Sequence, residues 1–515
     1  MWVNPTFGYV IGGNADLHAS FGKHDQSVRS CRRNGCWCWI RDRVDGSRGG
    51  QRSATPPLGV TPVKAPAPAP VLPNFVFILA DDQAWNGLSV RMIAGDDASK
   101  SRTAHTPNTQ KLADSGVVFS QAYAAHPKCE CSRASIICGR TTTSLNATSK
   151  SVRTWAAPVA DSLANSLKRF RPEYRAAHFG KWQWSQTPAS MGYDLSDGIT
   201  QNEDGDSKDP ADPKQSFGIT KRAHAFMEQQ VKDGHPFYMQ LSYYAVHQKP
   251  QALAETLKKY EPGGATDASG TGGAKGAKGP KGGADRAVHA AMAEDLDTCV
   301  GAVLKDLEQL GIAKNTYVIY MSDNGGRTEI LKGGKGNLWE GGIRVPLIVA
   351  GPGVRAGEYC KVPVVSYDIL PTVLDLAVAG TAAPTGVEGG SWRSVLTSGA
   401  DTAQVSRPID RMVWHMGVEV EHPQSAMRQG DFKILYYWDT KQVQLFDLAK
   451  DHTEAKDLSA EQPDRVAAML AVLKEHVRAG LGEQPVAALE RGEKPTDGGG
   501  KKGQRGDNPA PRGGK

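Results

Sequence analysis

The chain has 515 residues, 39% of them hydrophobic, and a formal net charge of +6. No run approaches the ~18 consecutive apolar residues of a membrane-spanning helix, and eight cysteines in a chain this long do not make a disulfide framework. The excess of Lys lies with Gly in two low-complexity stretches, so the charge marks no nucleic-acid partner.

Residues 1–72 lack apolar periodicity and read as a disordered extension and linker. Cys31, Cys36 and Cys38 cluster there, but a metal site would need a fourth ligand and none is in view. No apolar segment with a small-residue cleavage site follows Met1, so no signal peptide is read, and the native start is expected further along the chain. The alternating Ala-Pro run at 65–70 is a stiff, extended linker.

The folded part begins at Asn74. The apolar run 75–79 reads as a buried parallel strand that delivers Asp81 and Asp82 at its C-terminal edge. Thr106-Pro107-Asn108 opens a helix that closes near Gly116. Strands at 175–179, 237–242 and 316–321 lead into Gly180-Lys181-Trp182, toward His247, and into Asp323-Asn324-Gly325. Met292, Leu296, Val300, Val303, Leu307 and Leu310 share one helix face, stopped by Gly311. Strands alternating with helices predict an α/β fold with a mainly parallel sheet, spanning 73–400, with a flexible Gly/Ala/Lys-rich insert at 263–283. A small α+β subdomain is expected at 401–481, with antiparallel strands at 412–420, 426–428, 432–438 and 443–447 and a helix at 463–478. A disordered tail follows from 482 to 515.

Both acidic pairs, Asp81-Asp82 and Asp323-Asn324, directly follow apolar strands and so project from one sheet edge. Three carboxylates and an amide oxygen suit a hard cation, Ca²⁺ or Mg²⁺. Arg133, Lys181 and Lys335 are read in loops rich in Gly or small residues, where they can offset the charge of a sulfate or phosphate monoester. His247 is a candidate proton donor to a leaving oxygen.

Cys129-Glu130-Cys131-Ser132-Arg133, followed by Gly139-Arg140, resembles the sulfatase signature. The metal pairs, the helix at Thr106-Pro107-Asn108, Gly334-Lys335-Gly336 and the segment from Trp339 to Pro346 resemble the same family, of the alkaline-phosphatase-like superfamily. Ala426 to Lys433 and Leu445 to Leu448 resemble its C-terminal subdomain. The resemblance implies that Cys129 is converted to formylglycine by a maturation enzyme. It implies Ca²⁺, more than Mg²⁺, on Asp81, Asp82, Asp323, Asn324 and the modified Cys129. Arg133 would hold the hydrated aldehyde, Lys181 and Lys335 would grip sulfate, and His247 would assist the leaving group, while Glu340 and Arg344 would brace the loop. The implied substrate is a sulfated small molecule or carbohydrate, and the implied compartment is periplasmic or extracellular.

Two positions depart from the pattern: Cys131 stands where Pro or Ala is usual, and Gln183 where the usual residue is His, the candidate base for expelling sulfate. A neutral amide takes no proton near pH 7. His178 lies close by but inside a strand. Two other readings stay open, a phosphoesterase of the same superfamily and a catalytically silent binding protein. His415, His422, Gln424 and Ser425 are candidates for contacting the carrier of the sulfate, or equally for a surface strand and turn.

Overall fold

The computed structural model describes residues 71–146, 159–260, 282–399, 404–417 and 420–493. The Cys31–Cys38 cluster, the Ala-Pro linker, all but the last two residues of the 263–283 insert and the tail beyond 493 lie outside the described residues.

Eight strands form the main sheet: β1 (Asn74–Ala80), β2 (Gly116–Phe119), β3 (Arg175–Gly180), β4 (Leu195–Ser196), β5 (Phe237–Ser242), β6 (Thr316–Ser322), β7 (Leu347–Ala350) and β8 (Glu358–Cys360). Their order is β4-β3-β5-β1-β6-β7-β2-β8. The block from β4 to β6 is parallel throughout. β7 runs antiparallel to both β6 and β2. The expectation of a mainly parallel sheet holds, and β7 is the antiparallel exception among the described strands of this sheet.

β1 is buried on both faces, which is why its sequence is a continuous apolar run rather than an alternation. Phe75, Phe77 and Leu79 enter one core layer, and Val76, Ile78 and Ala80 the other. The first layer is covered by the helix Cys129–Cys138 together with Ile369–Ala377. The second is covered by Ser216–Asp233 and Gly282–Gln309, whose Met292, Leu296, Val300, Val303 and Leu307 are buried as their spacing predicts. Among the described residues no helix is long and apolar enough to cross a membrane.

A second sheet is antiparallel, with β9 (Met412–Met416), β10 (Gln424–Gln429), β11 (Phe432–Tyr437) and β12 (Val443–Asp447) in chain order. The helix Pro463–Leu481 lays Met469, Leu473 and Val477 on one face of it. The other face packs Trp414, Met416, Ala426 and Leu435 against Tyr123, Ile343 and Tyr367 of the main body. The chain stays ordered past 482, where a tail is expected: Glu483–Glu490 is a further helix that buries Val486 and Leu489. Those two apolar positions are the signal that the Gly- and Lys-rich composition around them conceals.

Candidate active site

Parallel register brings the four loops together. Ala80 is paired with Ser322, Leu79 with Ser242, and Gly180 with Ser242, so β1, β3, β5 and β6 end at one edge. The residues following them are Asp81-Asp82, Lys181, the 243–247 turn and Asp323-Asn324. Backbone bonds tie these turns to one another: Asp323 N donates to Ala80 O at 3.0 Å and Val246 N to Asp81 O at 2.8 Å. Gly326 permits this closeness, since a Cβ there would lie 2.0 Å from the carbonyl oxygen of Asp82. Asp82 itself holds a φ of 61°, a left-handed conformation that Asp tolerates better than most residues.

Cys129 is the first residue of the helix Cys129–Cys138. A developing negative charge is favoured at that end. Arg133 stands four residues on, hence on the same helix face, which accounts for the spacing of the signature. The Cys129 Sγ is 3.4 Å from Asp81, 3.6 Å from Asp82 and 3.2 Å from Lys335 Nζ. Arg133 contacts Asp323 at 2.8 Å and donates through Nη1 to the carbonyl of Lys181 at 3.0 Å. Lys181 Nζ lies 2.5 Å from Asp81, and Lys335 Nζ 2.7 Å from Asp82. His247 Nε2 is 3.7 Å from Asp82, while its Nδ1 faces the Gln248 carbonyl at 3.0 Å. The side chains of Asp81, Asp82, Cys129, Arg133, Lys181, His247, Asp323 and Lys335 thus lie together at this edge.

The electrostatics follow from burial and pairing. Burial tends to raise Asp81, but Lys181 and then Arg133 outweigh it and hold its carboxyl below the ordinary range. Burial, with Asp81 next, pushes Asp323 up to about 6 against the pull of Arg133. Burial works against the charge on Lys181, and Asp81 more than restores it. Burial, reinforced by Asp323 and Asp81, lifts the Cys129 thiol well above its usual value. An unmodified thiol in this setting is protonated and a poor nucleophile. Burial also lowers His247.

The donor set fits a hard divalent cation. Three carboxylates and the Asn324 amide offer oxygens, and Asn324 Oδ1 is buried without a hydrogen-bond partner. Ligand atoms of Asp81, Asp82, Cys129 and His247 lie within 4.8 Å of one another. Oxygen-preferring ions have little use for imidazole, which sets His247 apart from the oxygen donors of the site.

Gln183 also holds a left-handed φ, 75°, and its Nε2 donates to Asn202 Oδ1 at 3.1 Å. His178 does not replace the missing imidazole. It is buried, bonded to Ser242 Oγ at 3.0 Å, edge-on to Trp182, and held down at about 3 by burial and then by Arg133. Cys131 is fully buried within the core layer beneath the helix.

The carrier-contact expectation is corrected for the second sheet. His415 is buried and bonded to Ser425 Oγ at 2.8 Å, which also accepts from Trp438 Nε1. Gln424 accepts from Leu338 N, and His422 pairs with Asp439. None of the four lines the ≈700 Å³ cleft that opens beside Asp82 and Lys335. Residues on one face of a strand point into the sheet's packing, and nothing in their identity says which face that is.

A buried ionic cluster braces the Lys335 loop. Glu340 contacts Lys433 at 2.9 Å and Arg344 at 3.3 Å, and accepts from Tyr123 at 2.8 Å. Lys433 also contacts Glu454 at 2.8 Å, and Glu454 accepts from the Glu340 backbone at 2.7 Å. Glu454 follows β12 in a turn with no apolar pattern, so sequence reasoning passes over it.

Residues 73–379 match the family model described as Sulfatase, and 334–480 match the model described as N-sulphoglucosamine sulphohydrolase, C-terminal. A sulfatase of Formosa agariphila is 26% identical over 499 residues, covering 78% of this chain and 87% of that protein. An ulvan-active sulfatase of the same organism is 27% identical, covering 62% and 64%. Arylsulfatase K of Mus musculus is 31% identical over 186 residues, covering 35% of this chain and 33% of its own length. The fold is similar to the crystal structure of Ps i-CgsB in complex with k-i-k-neocarrahexaose, with TM-score 0.65 and 23% identity, covering 82% of this chain and 97% of that one. A signature helix at the edge of a mainly parallel sheet, matched by the family model across the whole of that sheet, places the chain in the sulfatase family of sulfuric ester hydrolases, within the alkaline-phosphatase-like superfamily.

Proposed function

We propose that this chain hydrolyses sulfate monoesters of a carbohydrate, using formylglycine made from Cys129 and a bound Ca²⁺. The reading rests above all on the surroundings of Cys129: a buried side chain between two aspartates and Lys335, with Arg133 and Lys181 close behind. The carbohydrate part is supported by relatives that include an ulvan-active sulfatase, and by fold neighbours solved with a neocarrahexaose and with D-glucosamine-2-N,6-O-disulfate.

Ca²⁺ held by Asp81, Asp82, Asp323 and Asn324 would supply Lewis-acid polarisation of a sulfate oxygen. Formylglycine, installed by a maturation enzyme, would supply an oxygen nucleophile bearing a second hydroxyl. The chain's own residues do the rest. Lys181 and Lys335 present ammonium groups to the sulfate oxygens and offset the charge that develops there. Arg133, one helical turn along, orients residue 129. His247 donates its Nδ1–H to the Gln248 carbonyl, so Nε2 carries the lone pair in the neutral ring, and only the imidazolium, which the neighbouring Asp81 and Asp82 favour, passes a proton from Nε2 to the departing alcohol. Gln183 orients through its amide and moves no proton.

The test is a mass spectrum of the tryptic peptide containing Cys129, from protein made with its maturation enzyme, paired with sulfate release from sulfated oligosaccharides. Aldehyde mass and sulfate release support the reading. An unmodified thiol throughout sinks the nucleophile, and release of phosphate in preference to sulfate turns the reading toward a phosphoesterase.

A further inference from the structure

The cleft beside the site is larger than a sulfate group needs. Its ≈700 Å³ lies within the roughly 300–1,000 Å³ typical of a site for a whole small ligand. Asp82 and Lys335 form its inner end, and Val246, Ala290 and Ala293 give it a buried apolar wall.

The charges lining this cleft do not balance. Asp82 is paired with Lys335, and Arg286 with Glu329 at 2.8 Å. Arg102 and Arg327 also line it, both exposed, and neither has a carboxylate partner among the described residues. They come from different parts of the chain: Arg102 precedes the helix Pro107–Asp114, and Arg327 follows the Asp323-Asn324 loop. Both guanidinium groups stand in water on the cleft, so either can take up an anion without first releasing a carboxylate. Guanidinium suits planar carboxylate and sulfate acceptors through paired N–H donors.

We propose that Arg102 and Arg327 form a subsite for a second anionic group on the substrate, so that the preferred ligand is a sulfated saccharide carrying a further sulfate or carboxylate on its backbone. This inference rests on the sulfate-ester reading for the position of the first sulfate. The same subsite excludes neutral carriers only weakly: a monosulfated sugar still enters but leaves both guanidinium groups in water. The selectivity therefore appears in KM more than in kcat, and it shrinks as salt screens the exposed arginines.

The experiment compares kcat/KM for a monosulfated disaccharide, its disulfated counterpart and a counterpart bearing a uronate carboxylate, using the full chain. The same three ligands are titrated by calorimetry. The expected preference for either dianion over the monosulfated sugar is about tenfold, the size of one good charge-assisted contact. Arg102→Gln with Arg327→Gln is expected to remove most of that ratio, and Arg102→Lys with Arg327→Lys to keep a substantial part of it. The two dianions separate a sulfate-selective subsite from a carboxylate-selective one. Equal kcat/KM and equal affinity for all three sugars in the wild type overturn the proposal, and so does an undiminished ratio in the double Gln variant. If no sulfate ester is hydrolysed at all, the sulfatase reading fails by itself, and the calorimetric ratio still decides the subsite.

Discussion

Lys433→Met tests how firmly the second sheet holds the loop that carries Lys335. Lys433 is fully buried, 2.9 Å from Glu340 and 2.8 Å from Glu454. Methionine keeps much of the side-chain volume and removes the charge. Glu340 then retains Arg344, but Glu454 loses the cation the structure gives it. Breaking a buried pair by removing one partner costs roughly 3–5 kcal/mol. With about 2.1 cal/mol/K of unfolding entropy per residue, a cooperative unit of ~400 residues changes by ~0.8 kcal/mol per degree, so the thermal midpoint falls by about 4–6 °C. The pH dependence has a definite sign. Burial raises Glu454 above the ordinary carboxylate value even with Lys433 present. A raised carboxyl stabilises the fold below its unfolded pKa, and that contribution is lost as pH rises through the folded value. Without Lys433 the folded value rises further, so the variant is weakest at alkaline pH and regains stability as pH falls toward about 5. Scanning calorimetry at about pH 8 and about pH 5 reads both effects, and adding Glu454→Gln should recover much of the loss. A midpoint within about 1 °C of wild type at both pH values would refute the reasoning.

Other substitutions probe the site itself. Lys335→Met removes the ammonium beside residue 129 and Asp82, and should lower kcat on an aryl sulfate by about 10²–10³, the usual cost of one electrostatic donor; a loss under tenfold would remove Lys335 from the chemistry. Gln183→His places a titratable ring next to Trp182 and is expected to raise kcat and add an acid-limb pKa to the pH–rate profile, since a base works only when deprotonated. An unchanged profile would mean that expulsion of sulfate needs no base there.

What was legible in the sequence was set by the strands. A run such as Phe75 to Leu79 is buried on both faces, so it announces itself, and the polar residues that end it must lie at the sheet edge. That logic places Asp81, Asp82, Lys181, Asp323 and Asn324 at the edge from the sequence alone. It had no purchase on the arginines of the cleft. Arg102, Arg286 and Arg327 come from two loops and a helix start whose relative placement depends on tertiary packing, and an arginine in a loop resembles any solvated one. Glu454 was hidden for the same reason, a carboxylate in an unpatterned turn whose burial only the docked second sheet creates. The antiparallel β7 was missed because a short apolar strand reads the same in either direction.

The charge count of the site implies that metal and sulfate bind cooperatively. Asp81, Asp82 and Asp323 face Arg133, Lys181 and Lys335, three carboxylates against three cations, and the short contacts show the cations already engaged. An incoming sulfate must compete with Asp81 for Lys181 and with Asp82 for Lys335. A divalent ion on those carboxylates removes the competition and adds two positive charges, so metal and sulfate should strengthen each other's binding. Freed ammonium groups regain charge-assisted contacts of about 1.5–3 kcal/mol each, of which a coupling of about 1–3 kcal/mol is a reasonable net share. Sulfate should therefore bind about 5- to 150-fold more tightly with saturating Ca²⁺ than after chelation. By linkage, sulfate should tighten Ca²⁺ by the same factor, which gives an internal check by calorimetry in both directions. Equal sulfate affinity with and without Ca²⁺ would mean that Lys181 and Lys335 stay on their aspartates, and that the anion is held by other groups.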